Sequence, residues 1–98
     1  MKEKIDKLED IRSRSEDLDP RQKKFPKDLK DLAQEALGYC EEVDDQQEIN
    51  WLKKAIHKAE SLEHDAEVSQ EALEDRGLGL GYLKEAVDSI LIRERRYE

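Results

Sequence analysis

Leu52-Lys53-Lys54-Ala55-Ile56-His57-Lys58-Ala59-Glu60-Ser61-Leu62-Glu63-His64-Asp65-Ala66-Glu67-Val68-Ser69-Gln70-Glu71-Ala72-Leu73 is the stretch on which the fold turns. Leu52, Ala55, Ala59, Leu62, Ala66, Ser69 and Leu73 recur at strictly alternating steps of three and four, a heptad seam held over about three repeats. The spacing predicts a helix from about Gln46 to Asp75, broadened at one end by Ile49 and Ile56. Its alanines let a neighbouring helix come close. A break near Glu63-His64-Asp65 would instead divide it into two shorter helices.

Upstream, Leu29, Leu32, Ala36, Tyr39 and Val43 share a second seam flanked by Ala33, Leu37 and Cys40, which predicts a helix over 26–43 starting at Pro26. Asp45 three residues before Glu48 resembles a capping box and sets a boundary near Asp44, although helices 26–43 and 46–75 could also be continuous. Asp19-Pro20 and Phe25-Pro26 punctuate a basic connector at 19–26, because proline disfavours helix in the residue before it. A first helix over about 2–18 has a thin stripe of Ile5, Leu8, Ile11 and Leu18, with Ser15 where another apolar turn would fall. It should be the most weakly anchored element.

Downstream, Gly77, Gly79 and Gly81 alternate with Leu78 and Leu80 and read as a turn whose leucines point inward. A last helix over 82–97 would bury Leu83, Ala86, Val87, Ile90 and Leu91, with Arg93, Arg95 and Arg96 where the helix dipole favours cations. Together these segments predict an all-α fold: one helical domain over 1–98, a small antiparallel bundle of three to four helices with coiled-coil-like packing.

The composition agrees with thin helices whose outer faces are wet. Only 36% of the 98 residues are apolar and 45% are charged, yet the apolar ones are periodic and little diluted by Pro, Gly or Ser. No apolar run approaches the length of a membrane span, and Met1-Lys2-Glu3-Lys4-Ile5-Asp6 lacks the apolar stretch of a signal peptide, so a cytoplasmic protein without membrane partners is expected. Cys40 is the single cysteine, which excludes an internal disulfide and the four-thiol zinc patterns and suits a small core residue.

Charge carries the one functional hint. Asp31 to Asp75 hold fourteen carboxylates against three lysines, a local −11 in a chain of net −8, while residues 21–30 carry a local +4. On a single helix Glu60, Glu63, Glu67, Glu71 and Glu74 would form one acidic row beside the apolar seam, with neighbours about 5.4 Å apart along the axis, close enough to engage successive Lys or Arg side chains. Like charges at this spacing cost roughly 0.2–0.5 kcal/mol per pair, so the row invites a compensating partner. The plainer alternative is a solvated face balanced by Lys84, Arg93 or basic residues of the first helix. Trp51 suits a binding hot spot as well as the end of a small core.

His57 and His64 lie one heptad apart with Glu60 between them, a rise of about 10.5 Å that is too wide for sharing one ion, so no metal site is expected. Serines Ser13, Ser15, Ser61, Ser69 and Ser89 have no Gly-x-Ser-x-Gly setting, and the glycines at 77–81 lack a preceding strand and phosphate-loop spacing. The chain therefore reads as neither an enzyme nor a cofactor binder. The leading expectation is a non-catalytic protein-binding module, an inhibitor or adaptor that offers Glu60, Glu63, Glu67, Glu71, Glu74 and Trp51 to a basic surface. That surface could be the nucleic-acid channel of a larger machine, where carboxylates stand in for phosphates, as in small acidic phage inhibitors by analogy. The alternative is a structural or regulatory homo-oligomer, such as a homodimer, paired through the helix seam. The net negative charge argues against direct nucleic-acid binding, which would have to run through Arg21 to Lys30.

Overall fold

Residues 2–62 and 70–95 are described by the computed structural model, and they form α1 (Lys2–Glu16), α2 (Phe25–Leu37), α3 (Gln46–Leu62) and α4 (Gln70–Arg95). The four helices pack against one another, and α4 touches all three others, with α1 and α3 on different sides of it. Lys58 Nζ lies 3.5 Å from Asp75 at one end of the α3–α4 pair, while Ser89 and Arg93 reach Glu48 at the other. These two helices are therefore antiparallel. The core is one elongated layer of Leu8, Ile11, Phe25, Leu29, Leu52, Leu83, Val87 and Ile90, interleaved with buried Ala33, Ala36, Ala55, Ala59 and Ala86. Each large side chain contributes about 1.5–3 kcal/mol by leaving water, and the alanines draw the helices together.

Three expectations from the sequence are corrected. The helix over 46–75 is not one element, because the chain reverses between Leu62 and Gln70; Leu52, Ala55, Ala59 and Leu62 are buried as the seam requires, whereas Ala66 and Ser69 lie outside the described residues. A straight helix of that length, about 45 Å, would carry Leu83 and Val87 away from Leu52. Reversal lets the two seams cover each other.

The turn at Gly77–Gly81 is likewise absent, for α4 passes straight through it and none of the described glycines has positive φ. Arg76, Leu80 and Leu83 are buried at helical spacing there. Gly79 serves close approach: a Cβ at this position would lie 2.9 Å from Leu29 Cδ2 on α2. The last helix thus begins at Gln70, not at residue 82.

The helix over 26–43 stops at Leu37, where the amides of Gly38, Tyr39 and Cys40 bond back to the carbonyls of Glu35, Ala36 and Leu37 in a tightened last turn. Val43, expected on the seam, is 85% exposed. α1 follows its expected stripe, with Ser15 fully buried in the apolar row because its hydroxyl donates to the Arg12 carbonyl at 2.6 Å.

Candidate protein-binding surface

The acidic row divides between two helices. Glu60 is exposed on α3 and paired with Lys30 of α2 at 3.5 Å, Glu71 and Glu74 are exposed on α4, and Glu63 and Glu67, like His64, lie outside the described residues. Trp51 is half-buried against the core from α3.

On α4, Glu71, Glu74, Leu78, Tyr82 and Glu85 follow one another at steps of three and four; the glutamates and Leu78 are exposed, and Tyr82 stands at the edge of this face, half-buried against the core. Leu78 is 54% exposed there, and Glu74, Gly77, Leu78, Gly81, Tyr82 and Glu85 line an open depression of about 530 Å³. An added Cβ at Gly77 or Gly81 would meet nothing within 4 Å. These two glycines answer no packing demand among the described residues.

Beside this depression runs a basic groove of about 620 Å³ between α3 and α4, lined by Asn50, Lys53, Lys54, His57, Lys58 and Tyr82. Tyr82 borders both, and Lys54 Nζ stands 5.8 Å from its ring centroid. Lys53, Lys54 and Lys58 are the three lysines that stand against the fourteen carboxylates between Asp31 and Asp75. Their helical steps place them on one outward row, a signal that becomes meaningful only once α4 is known to lie alongside.

The opposite end of the α3–α4 pair holds a buried ionic cluster that spacing did not reveal. Asp45 is fully buried; its Oδ2 accepts from the Glu41 amide at 2.8 Å and from Lys4 Nζ at 3.2 Å. Arg93 Nη1 stands 3.0 Å from Asp45 Oδ1 and donates to the Asp44 carbonyl, while Nη2 and the Ser89 hydroxyl both donate to Glu48. The Asp45–Glu48 pair is thus not a capping box, since both carboxylates serve interhelical pairs. Burial pulls the Lys4 ammonium down, but its hydrogen bonds to Glu94 and Asp45 outweigh this and hold it above its ordinary value. Burial, aided by the Asp45 charge, pushes the nearby Cys40 thiol up to about 11. These charges lock α1, the segment before α3 and the end of α4 together, a structural role.

Arg76, buried in α4, donates from Nη1 to the carbonyls of Pro20 (2.8 Å) and Gln22 (2.9 Å) with its guanidinium over Phe25, and so holds the connector against α4. Arg21, Lys23, Lys24 and Lys27 remain exposed around it. No helix among the described residues is long and apolar enough to cross a membrane, and no group of three or more His, Cys, Asp or Glu there could hold a metal ion. Comparison with protein-family models, curated proteins and solved structures finds no match for this chain.

Proposed function

We propose that the chain is a non-catalytic protein-binding module, an inhibitor or adaptor, that meets a basic partner through the outer face of α4. One observation carries this reading: Leu78 stands exposed over a shallow floor between the glutamates Glu71 and Glu74 and the glutamate Glu85. An apolar centre with charged borders is the anatomy of a modest interface, in which the leucine and the Tyr82 edge lose water and the carboxylates select cations. The site is an open depression that leaves a substrate in water, and the buried charges elsewhere are spent on ion pairs or, for Arg76, on backbone carbonyls that hold the fold together. Glu60 lies off this face, on α3, where it reaches Lys30 of α2.

The probe is a synthetic cationic helical peptide with a leucine seam, titrated into the chain while amide resonances are followed. The reading predicts shifts centred on Glu74, Leu78, Tyr82 and Glu85, and loss of binding in Glu71→Gln/Glu74→Gln/Glu85→Gln with helical content retained. Shifts centred elsewhere, or binding unchanged by those substitutions, would contradict it.

A further inference from the structure

We propose that the basic surface met by this face is the lysine row of a second copy of the chain, in an isologous dimer; the inference rests on the binding face proposed above. The face carries two charge rows parallel to the helices: Lys53, Lys54 and Lys58 on α3, and Glu71, Glu74 and Glu85 on α4, with Leu78 and Tyr82 between them. Lys53, Lys54, Glu71, Glu74 and Glu85 are all exposed.

The rows are in register. Lys54 stands over Tyr82, one helical turn from Glu85, and Lys58 is paired with Asp75, the neighbour of Glu74. Lys54 is therefore within about one turn of the level of Glu85, and Lys58 of Glu74, each about one helix-to-helix spacing, 8–10 Å, to the side. A two-fold axis lying in the face and parallel to the helices exchanges the rows while keeping their levels. Lys53 and Lys54 then oppose Glu85 of the second copy, Lys58 opposes its Glu74, and Leu78 and Tyr82 are covered near the axis. A two-fold across the helices would set lysines against lysines. The charge pattern thus selects one occupant and one orientation, with the α4 helices parallel.

Sedimentation velocity from roughly 10 µM to roughly 1 mM tests this, since a dimer held by a small mixed face dissociates within that range. The wild type should dimerise. Glu74→Lys/Glu85→Lys should weaken the dimer at least about tenfold, even though it lessens the net negative charge, because both rows are then basic. Lys53→Glu/Lys54→Glu should do the same, and an equimolar mixture of the two variants should form a heterodimer. All four positions are exposed, and unchanged far-UV circular dichroism would confirm that the fold is kept. A dimer indifferent to both reversals, or reversed variants that fail to pair when mixed, would overturn the proposal. A wild type monomeric throughout, with the cationic peptide still bound at Leu78 and Tyr82, would overturn the second copy alone. The same monomer with no peptide bound there would remove the binding face as well.

Discussion

Replacing the three α4 glycines one at a time with alanine separates a helix from a turn at Gly77–Gly81. In a helix interior, glycine is less favourable than alanine by about 1 kcal/mol. Gly77 and Gly81 have no atom within 4 Å of an added Cβ, so each alanine should stabilise the fold by nearly that amount. For a chain of this length this raises Tm by about 4–8 °C. Gly79→Ala gains the same propensity but sets its methyl 2.9 Å from Leu29 Cδ2. Leu29 is fully buried, so the clash is relieved only by shifting a packed side chain, at a cost of about 1–3 kcal/mol. The net effect at Gly79 runs from about zero to about 2 kcal/mol destabilising. In a Leu29→Val background, which lacks the clashing carbon, Gly79→Ala should become stabilising, and this non-additivity marks the contact. Urea and thermal unfolding followed by circular dichroism at low micromolar concentration reads all of these. Destabilisation by Gly77→Ala or Gly81→Ala would refute a helical backbone at 77–81, since a left-handed turn glycine resists alanine.

Asp45→Asn should lower stability by about 1–3 kcal/mol in urea unfolding, because Lys4 and Arg93 each lose one buried partner while keeping Glu94 and Glu48. The same change should lower the Cys40 pKa, which Asp45 helps to raise, as followed by thiolate absorbance. With that thiol at about 11 rather than the ordinary 9.0, alkylation of Cys40 at pH 8 should run roughly 100-fold slower than in the urea-unfolded chain. For α1 the signs oppose. Lys4 is held above its ordinary 10.5, so its contribution is complete below that pH and fades as pH rises through the higher folded value. Glu16, held below its ordinary 4.5 first by its hydrogen bond from Arg12 and then by the Lys84 charge, contributes fully above that pH and fades as pH falls through the lower folded value. Amide exchange of α1 should be flat between these limits after correction for intrinsic rates, and should accelerate beyond them.

The helical architecture was legible wherever apolar side chains repeat against a neighbour of matching length. Leu29, Leu32, Ala36, Leu52, Ala55, Ala59, Leu83, Val87 and Ile90 are buried as their spacing implied. The reversal between Leu62 and Gln70 was not chosen by the pattern, since the heptad reads on through Ala66 and Ser69 and only pairing with α4 decides between one long helix and two. Gly77, Gly79 and Gly81 misled because local propensity speaks for a turn, while the tertiary need to seat Leu29 beneath Gly79 and bury Leu80 and Leu83 speaks for a helix. The ionic cluster at Asp45 stayed hidden because its members come from Lys4, Glu48 and Arg93, which sequence distance does not connect. Of the candidate acidic residues, Glu71 and Glu74 fall on one outward face, joined by Glu85, a residue whose i+11 relation to Glu74 became meaningful only with α4 continuous. The lysine row on α3 gained its meaning from the same pairing.

The most direct test of the central claim is an amide NMR spectrum of the wild-type chain as a function of its own concentration. Shifts that grow with concentration at Lys53, Lys54, Leu78, Gly81, Tyr82 and Glu85 are the predicted result, because these residues form the two rows and the apolar strip between them. Shifts centred on the other exposed apolar side chains, Val43 and Ile92, or on the basic connector at Arg21–Lys24, would contradict it.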